Sequence, residues 1–126
     1  MSTTQKLNPS FIILYVKNVL SSVEFYQSLL GTPPINPSPG FALFALDGGP
    51  MLGLWRIDDV LPAASVIGGQ ELAFAVESRD LVHSLLSEWS DKGWTIVQQP
   101  TDMDFGFTFT ALDPDGHRLR IMVPNA

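Results

Sequence analysis

Two histidines, thirteen carboxylates, seven Lys or Arg and no cysteine are the acid–base stock of this 126-residue chain, apart from its tyrosines. Without cysteine, disulfides, thiolate metal sites and thiol nucleophiles are excluded together. A divalent metal needs imidazole, carboxylate or thiolate donors, so a metal centre could draw only on His83, His117 and the carboxylates. His83 falls off the apolar stripe of its helix and reads as a solvated surface residue. His117 follows the turn Asp113-Pro-Asp-Gly116, and turn chemistry accounts for it. No His–acid–Ser arrangement can be assembled, and no Gly-rich phosphate loop is present. Gly48-Gly49 and Gly68-Gly69 read as turns.

Composition narrows the function classes further. The length is that of one domain, and 45% hydrophobic residues with 16% charged describe a globular chain. No apolar run approaches the ~20 residues that span a bilayer, and residues 1–9 lack the apolar centre of a signal peptide. The expectation is a cytoplasmic protein with no membrane partner. A net charge of −6 with scattered basic residues argues against nucleic acid, whose phosphates call for clustered Lys and Arg.

The elements that must position any site can be placed from pattern. Residues 11–16 (FIILYV) predict a strand buried on both faces. Asn18 and Ser21 offer caps for a helix with Ser22, Phe25, Tyr26, Leu29 and Leu30 on one face, stopped by Gly31. Pro33, Pro34, Pro37 and Pro39 make the next stretch a stiff loop. Strands 41–46 and 51–56 flank the hairpin signal Asp47-Gly-Gly-Pro50, and 57–70, with Pro62, Gly68 and Gly69, reads as a linker. Then the plan restarts: strand 72–76, a helix capped by Ser78 with Val82, Leu85, Leu86 and Trp89 on one face, Gly93 at its end, and strands 94–98, 107–112 and 118–123. Phe25, Phe74 and Trp89 are assigned to the core.

The restart is a repeat. GFALFALD at 40–47 returns as GFTFTALD at 106–113, and the offset drifts from 60 residues (Val16 to Val76) through 62 (Gly31 to Gly93) to 66 (Asp47 to Asp113). A matched order of strand, helix, glycine and hairpin indicates duplication with small loop insertions. Each module alone exposes an apolar sheet face, so the two must pair to bury it.

VKNVLSSVEFY (16–26) with Leu30-Gly31, LAFAV (72–76), and Phe105-Gly106 with DPDGH (113–117) together resemble the vicinal-oxygen-chelate superfamily. That group comprises glyoxalase I, extradiol dioxygenases and the fosfomycin- and bleomycin-resistance proteins. The resemblance runs from about Phe11 to Val123. It implies an α+β fold: one domain of two βαβββ modules, 11–56 and 71–123, joined by linker 57–70, with curved mixed sheets around a cavity. It also implies four metal-ligand slots. These fall on Phe11, on Glu71, on Arg120, and, through the internal alignment, on Leu54 (Leu52 if the register slips by two). Phe and Leu cannot ligate, and Arg puts a fixed positive charge where the cation would sit. The expectation is therefore no metal, no cofactor and no catalysis.

Within that superfamily the chain is most similar to the metal-free drug-binding members, among them the phenazine-antibiotic resistance proteins. MLGLW (51–55) resembles their Trp-bearing strand, and DPDGHRLR (113–120) shares their Arg in place of the catalytic Glu. The implied activity is capture of a planar aromatic antibiotic by sequestration. Ligand contacts are expected from Trp55, Tyr15, Phe41, Met51, Glu71, Phe105, Phe107 and Arg120, with Gly53 leaving room beside Trp55. Trp55 has the opposite parity to Leu54, so a regular strand cannot turn both into the cavity; a bulge or slip is required. Glu71 and Arg120 should lie within salt-bridge distance or share a ligand, because a buried unpaired Arg is costly. A metalloenzyme with unorthodox ligands and a non-catalytic regulatory module are the alternatives. By analogy a homodimer is expected, with modules exchanged between subunits as one option.

Overall fold

In the computed structural model, residues 10–125 other than Pro62, Ser65 and Gly69 are described. The reading of 1–9 and the roles given to Pro62 and Gly69 lie outside them. The chain divides into two compact units, 1–65 and 66–126.

In the first unit, β1 (Phe11–Val16) leads to α1 (Val19–Leu30), followed by β2 (Phe41–Ala45) and β3 (Met51–Arg56). The sheet order is β1-β3-β2, with β1 parallel and β2 antiparallel to β3. Helix α1 begins where the Asn18 side chain accepts the Ser21 N–H at 3.0 Å. It ends at Gly31, whose φ of 72° lets its N–H reach the Gln27 carbonyl at 2.9 Å. Strand alternation sorts the side chains. Leu14, Val16, Ala42, Phe44, Leu52 and Leu54 are at most 1% exposed and pack with Val19, Ser22, Val23 and Tyr26 of α1. The alternate set faces away from the helix. A fourth strand is reduced to a single bridge, Ile35 to Leu43. Four prolines around it remove N–H donors, and Asn36 adopts a left-handed φ of 42°.

The second unit carries the fuller pattern: β4 (Glu71–Ala75), α2 (Arg79–Asp91), β5 (Thr95–Met103), β6 (Gly106–Leu112) and β7 (Arg118–Pro124), in sheet order β4-β7-β6-β5. Ser78 caps α2 by accepting the Leu81 N–H at 3.2 Å. Phe109, Ala111, Leu119 and Ile121 are buried on the α2 side, where Trp89 meets Phe109 edge-on at 5.3 Å. Strand β5 runs well past the predicted 94–98, through two register shifts against β6 and across Pro100. An edge strand tolerates the missing N–H. His117, in the turn before β7, is fully buried. The Asp113 carboxylate accepts the Asp115 and His117 N–H groups at 2.9 and 2.8 Å, which pulls the turn shut.

The stretch 57–70, read as a linker, belongs to the first unit as far as residue 65. It includes a short 3-10 turn, Ile57–Asp59, and Val60 is 3% exposed.

Candidate functional site

Strand pairing corrects the register drawn from the repeat. In the first unit Ala45 pairs Met51 across the hairpin; in the second, Leu112 pairs Arg118. Ile13 pairs Gly53 and Leu43 pairs Gly53, just as Ala73 and Thr110 pair Arg120. The counterpart of Arg120 is therefore Gly53, not Leu54. Leu54 is 0% exposed and Leu52 1%, both turned to α1. A one-residue slip exchanges the faces of a strand, and here it removes the parity conflict over Trp55 without any bulge.

On the face turned away from α1, Trp55 pairs Tyr15 on one side and Phe41 on the other. Both rings stand edge-on to the indole with centroids 6.3 Å away, within the range of favourable aromatic contacts. All three rings and Met51 are half-buried. Gly53 does not hold open space beside them. A Cβ there would lie 2.5 Å from Ile13 Cδ1, 3.2 Å from Phe41 Cζ and 3.5 Å from Leu43 Cδ2, so neighbouring side chains lean over it.

In the second unit, the face turned away from α2 is polar. Arg120 Nε and Nη2 donate to the two oxygens of Glu71 at 3.1 and 3.3 Å, a bidentate pair. The pair joins β4 to β7, as expected. Arg120 Nη1 also donates to Gln98 Oε1 at 3.1 Å and to Thr108 Oγ1 at 3.2 Å. The Thr110 hydroxyl donates to Gln98 Oε1 at 2.9 Å, and that of Thr108 to the Ile121 carbonyl at 2.7 Å. The side chain of Arg120 is 14% exposed and that of Glu71 38%. Phe105, 39% exposed, sets its ring 5.5 Å from the guanidinium carbon. Gln98, Thr108 and Thr110 escaped the sequence reading. Their only signal was shared parity with Arg120 in strands whose register was unknown.

Phe107 does not belong with these residues. It lies on the α2 side, 9% exposed, with the His83 ring 5.5 Å away and the Arg79 guanidinium 4.4 Å over its face. Arg79 is held there by an ion pair to Asp102. Phe105 and Phe107 are two residues apart around Gly106, yet Gly106 takes a φ of 154° that breaks simple alternation. Phe107 thus packs on the helix side of the sheet, apart from Glu71 and Arg120.

The four metal slots do not fit a cation. Phe11 is an exposed hydrocarbon ring, Gly53 has no side chain, and Glu71 is engaged by the guanidinium that fills the remaining slot. Among the described residues, no three His, Cys, Asp or Glu side chains come together as a ligand set. A cavity of about 290 Å³ opens elsewhere, at the start of α1, among Lys17, Asn18, Leu20, Pro39, Arg56 and Asp58. Its Arg56 and Asp58 are 3.7 Å apart and offset each other. Among the described residues no helix is long and apolar enough to cross a membrane.

A family model described as the Glyoxalase/Bleomycin resistance protein/Dioxygenase superfamily matches residues 9–121. The phenazine antibiotic resistance protein EhpR of Enterobacter agglomerans is 26% identical over 118 residues, 91% of each chain. Protein ATC0852 from Agrobacterium tumefaciens is 48% identical with a TM-score of 0.88, covering 96% of this chain and 100% of that one. A glyoxalase-related enzyme from Fulvimarina pelagi superposes with a TM-score of 0.79 over 95% of this chain and 88% of its own. At 21% identity it speaks for the fold alone.

Proposed function

The chain belongs to the glyoxalase/bleomycin resistance/dioxygenase superfamily, and from that premise we propose that it captures a planar aromatic small molecule without transforming it. The observation that carries this reading is the Tyr15–Trp55–Phe41 cluster on the first unit's helix-free face. A rigid indole flanked by two rings gives area and stacking geometry at low entropic cost. Similarity to EhpR, itself a phenazine antibiotic resistance protein, supports an antibiotic as the ligand and sequestration as the role. In the second unit, Arg120, Glu71 and Phe105 offer polar and π contacts to such a molecule. The protein acts without a cofactor, and as a homodimer.

Calorimetric titration with phenazine, quinoxaline and glycopeptide compounds tests the reading. At least one should bind, and Trp55→Ala should weaken that compound by roughly thirtyfold, the equivalent of about 2 kcal/mol of lost stacking and burial. Expression in a sensitive host should raise tolerance to the same compound. Stoichiometric zinc, iron, manganese or nickel in the purified protein would overturn the proposal in favour of a metalloenzyme.

A further inference from the structure

On the second unit's polar face the Glu71–Arg120 pair is charge-balanced, with Arg118 exposed in register with Glu71 at the start of β7, and the closed pair restricts what can be accepted at Arg120. Arginine has five N–H donors. Among the described residues four are engaged: two by the Glu71 carboxylate, one by Gln98 and one by Thr108. The Gln98 amide oxygen takes both Arg120 and Thr110, and its nitrogen donates to Met103 Sδ at 3.3 Å. The reverse amide orientation would set an NH2 group against the guanidinium, so the arrangement is determinate. Neither threonine hydroxyl has a proton to spare, since Thr108 gives its own to Ile121 and Thr110 to Gln98. Among the described residues of this cluster, the donors that remain are one hydrogen on Arg120 Nη2 and one on Gln98 Nε2, beside an exposed flat ring, Phe105.

We propose that this face takes an uncharged planar ring compound bearing a hydrogen-bond acceptor, such as a ring nitrogen or carbonyl, and that Glu71 is the residue that turns away carboxylated ones. A carboxylate arriving at Arg120 meets a cation already paired, with the Glu71 oxygens alongside. It must displace Glu71 or accept like-charge repulsion, and either weakens binding. An uncharged acceptor needs neither. Glu71 thus determines specificity by occupying the seat an anionic ligand would want. This rests on the capture reading above and adds the ligand's charge to it.

Equilibrium dialysis with phenazine and phenazine-1-carboxylate, read by ligand absorbance near neutral pH and 150 mM salt, separates the possibilities. The wild-type protein should bind phenazine at least about tenfold more tightly than the carboxylate, the scale of one unfavourable charge contact. Glu71→Gln should tighten the carboxylate relative to phenazine by a similar factor. Wild-type protein that binds phenazine yet binds the carboxylate equally or better overturns this inference and leaves capture standing. Unchanged discrimination in Glu71→Gln that folds normally by circular dichroism also overturns it. Binding of neither compound, nor of any other planar ring system, removes the capture reading itself. Should the variant not fold, the wild-type ratio decides alone.

Discussion

Gly106→Ala tests the geometry that sets Phe105 beside Arg120. A Cβ at this position would lie 2.1 Å from the Val123 carbonyl oxygen, 2.9 Å from its carbon and 3.1 Å from Pro124 Cα. All three are backbone atoms, so no rotamer change relieves the overlap, and φ is 154°, where L residues are strained. To clear the methyl, the ends of β6 and β7 must part. That forfeits the Asn125 N–H bond to the Phe105 carbonyl at 3.0 Å and the Asn125 side-chain bond to the Asp104 carbonyl at 2.7 Å. Two such bonds contribute about 1 kcal/mol each, and the strained backbone adds about 1–3 kcal/mol. The expected loss is about 3–5 kcal/mol. Gly40, its partner in the sequence repeat, is a matched control. Its φ is ordinary, and a Cβ there would meet only the flexible Asp59 carboxylate, at 3.1 Å. Gly40→Ala should cost under about 1 kcal/mol. In urea, with a slope of about 2 kcal/mol/M, the two midpoints should differ by about 1–2 M. Equal midpoints would refute the assignment of Gly106 as a steric necessity.

Arg120→Met leaves Glu71 without its donor and Gln98 with Thr110 alone, but Glu71 can rehydrate, so urea denaturation should show a loss of about 1–2 kcal/mol. Glu71→Leu in the same background should cost little more, so that the double-mutant loss falls short of the sum of the two single losses. Asn18→Ala and Ser78→Ala each remove a helix cap and should each cost about 1 kcal/mol, visible as a lower thermal midpoint. Phe44→Ala, at a position with no exposed surface, should cost about 3–5 kcal/mol and test whether the first unit's core is as tight as its burial implies.

Local signals proved legible and face-dependent ones did not. Both helices, their Asn18 and Ser78 caps, the Gly31 stop and the two hairpins follow from spacing and turn chemistry alone. The Glu71–Arg120 pair was also within reach, because an arginine replacing a ligand needs a carboxylate close by. The register between the two modules was not. Their eight-residue repeat aligns Leu54 with Arg120, whereas the hydrogen-bonded ladders align Gly53. Sequence similarity follows residue order; a ladder follows which N–H meets which carbonyl, and one residue of difference reverses a face. The same blindness grouped Phe107 with Phe105 and Arg120, since the turn in alternation at Gly106 depends on an unusual φ. The long β5 was hidden by Pro100, which reads as a strand breaker until the strand is known to lie at an edge.

The corrected register shows how a duplicated module divides its labour. Toward the helices the two copies stay alike: Leu14, Phe44, Leu52 and Leu54 in one, Phe74, Phe109, Leu119 and Ile121 in the other. On the opposite faces they have parted. One copy presents Ile13, Tyr15, Leu43 and Trp55; the other presents Glu71, Ala73, Thr110 and Arg120. Folding constrains the first set and leaves the second free to diverge. A glycine at the position that the other copy gives to an arginine is the sharpest sign of that freedom: one copy has become a greasy plate and the other a charged one. Exchanging residues between copies on these faces alone should therefore retune what the protein recognises while leaving both cores untouched.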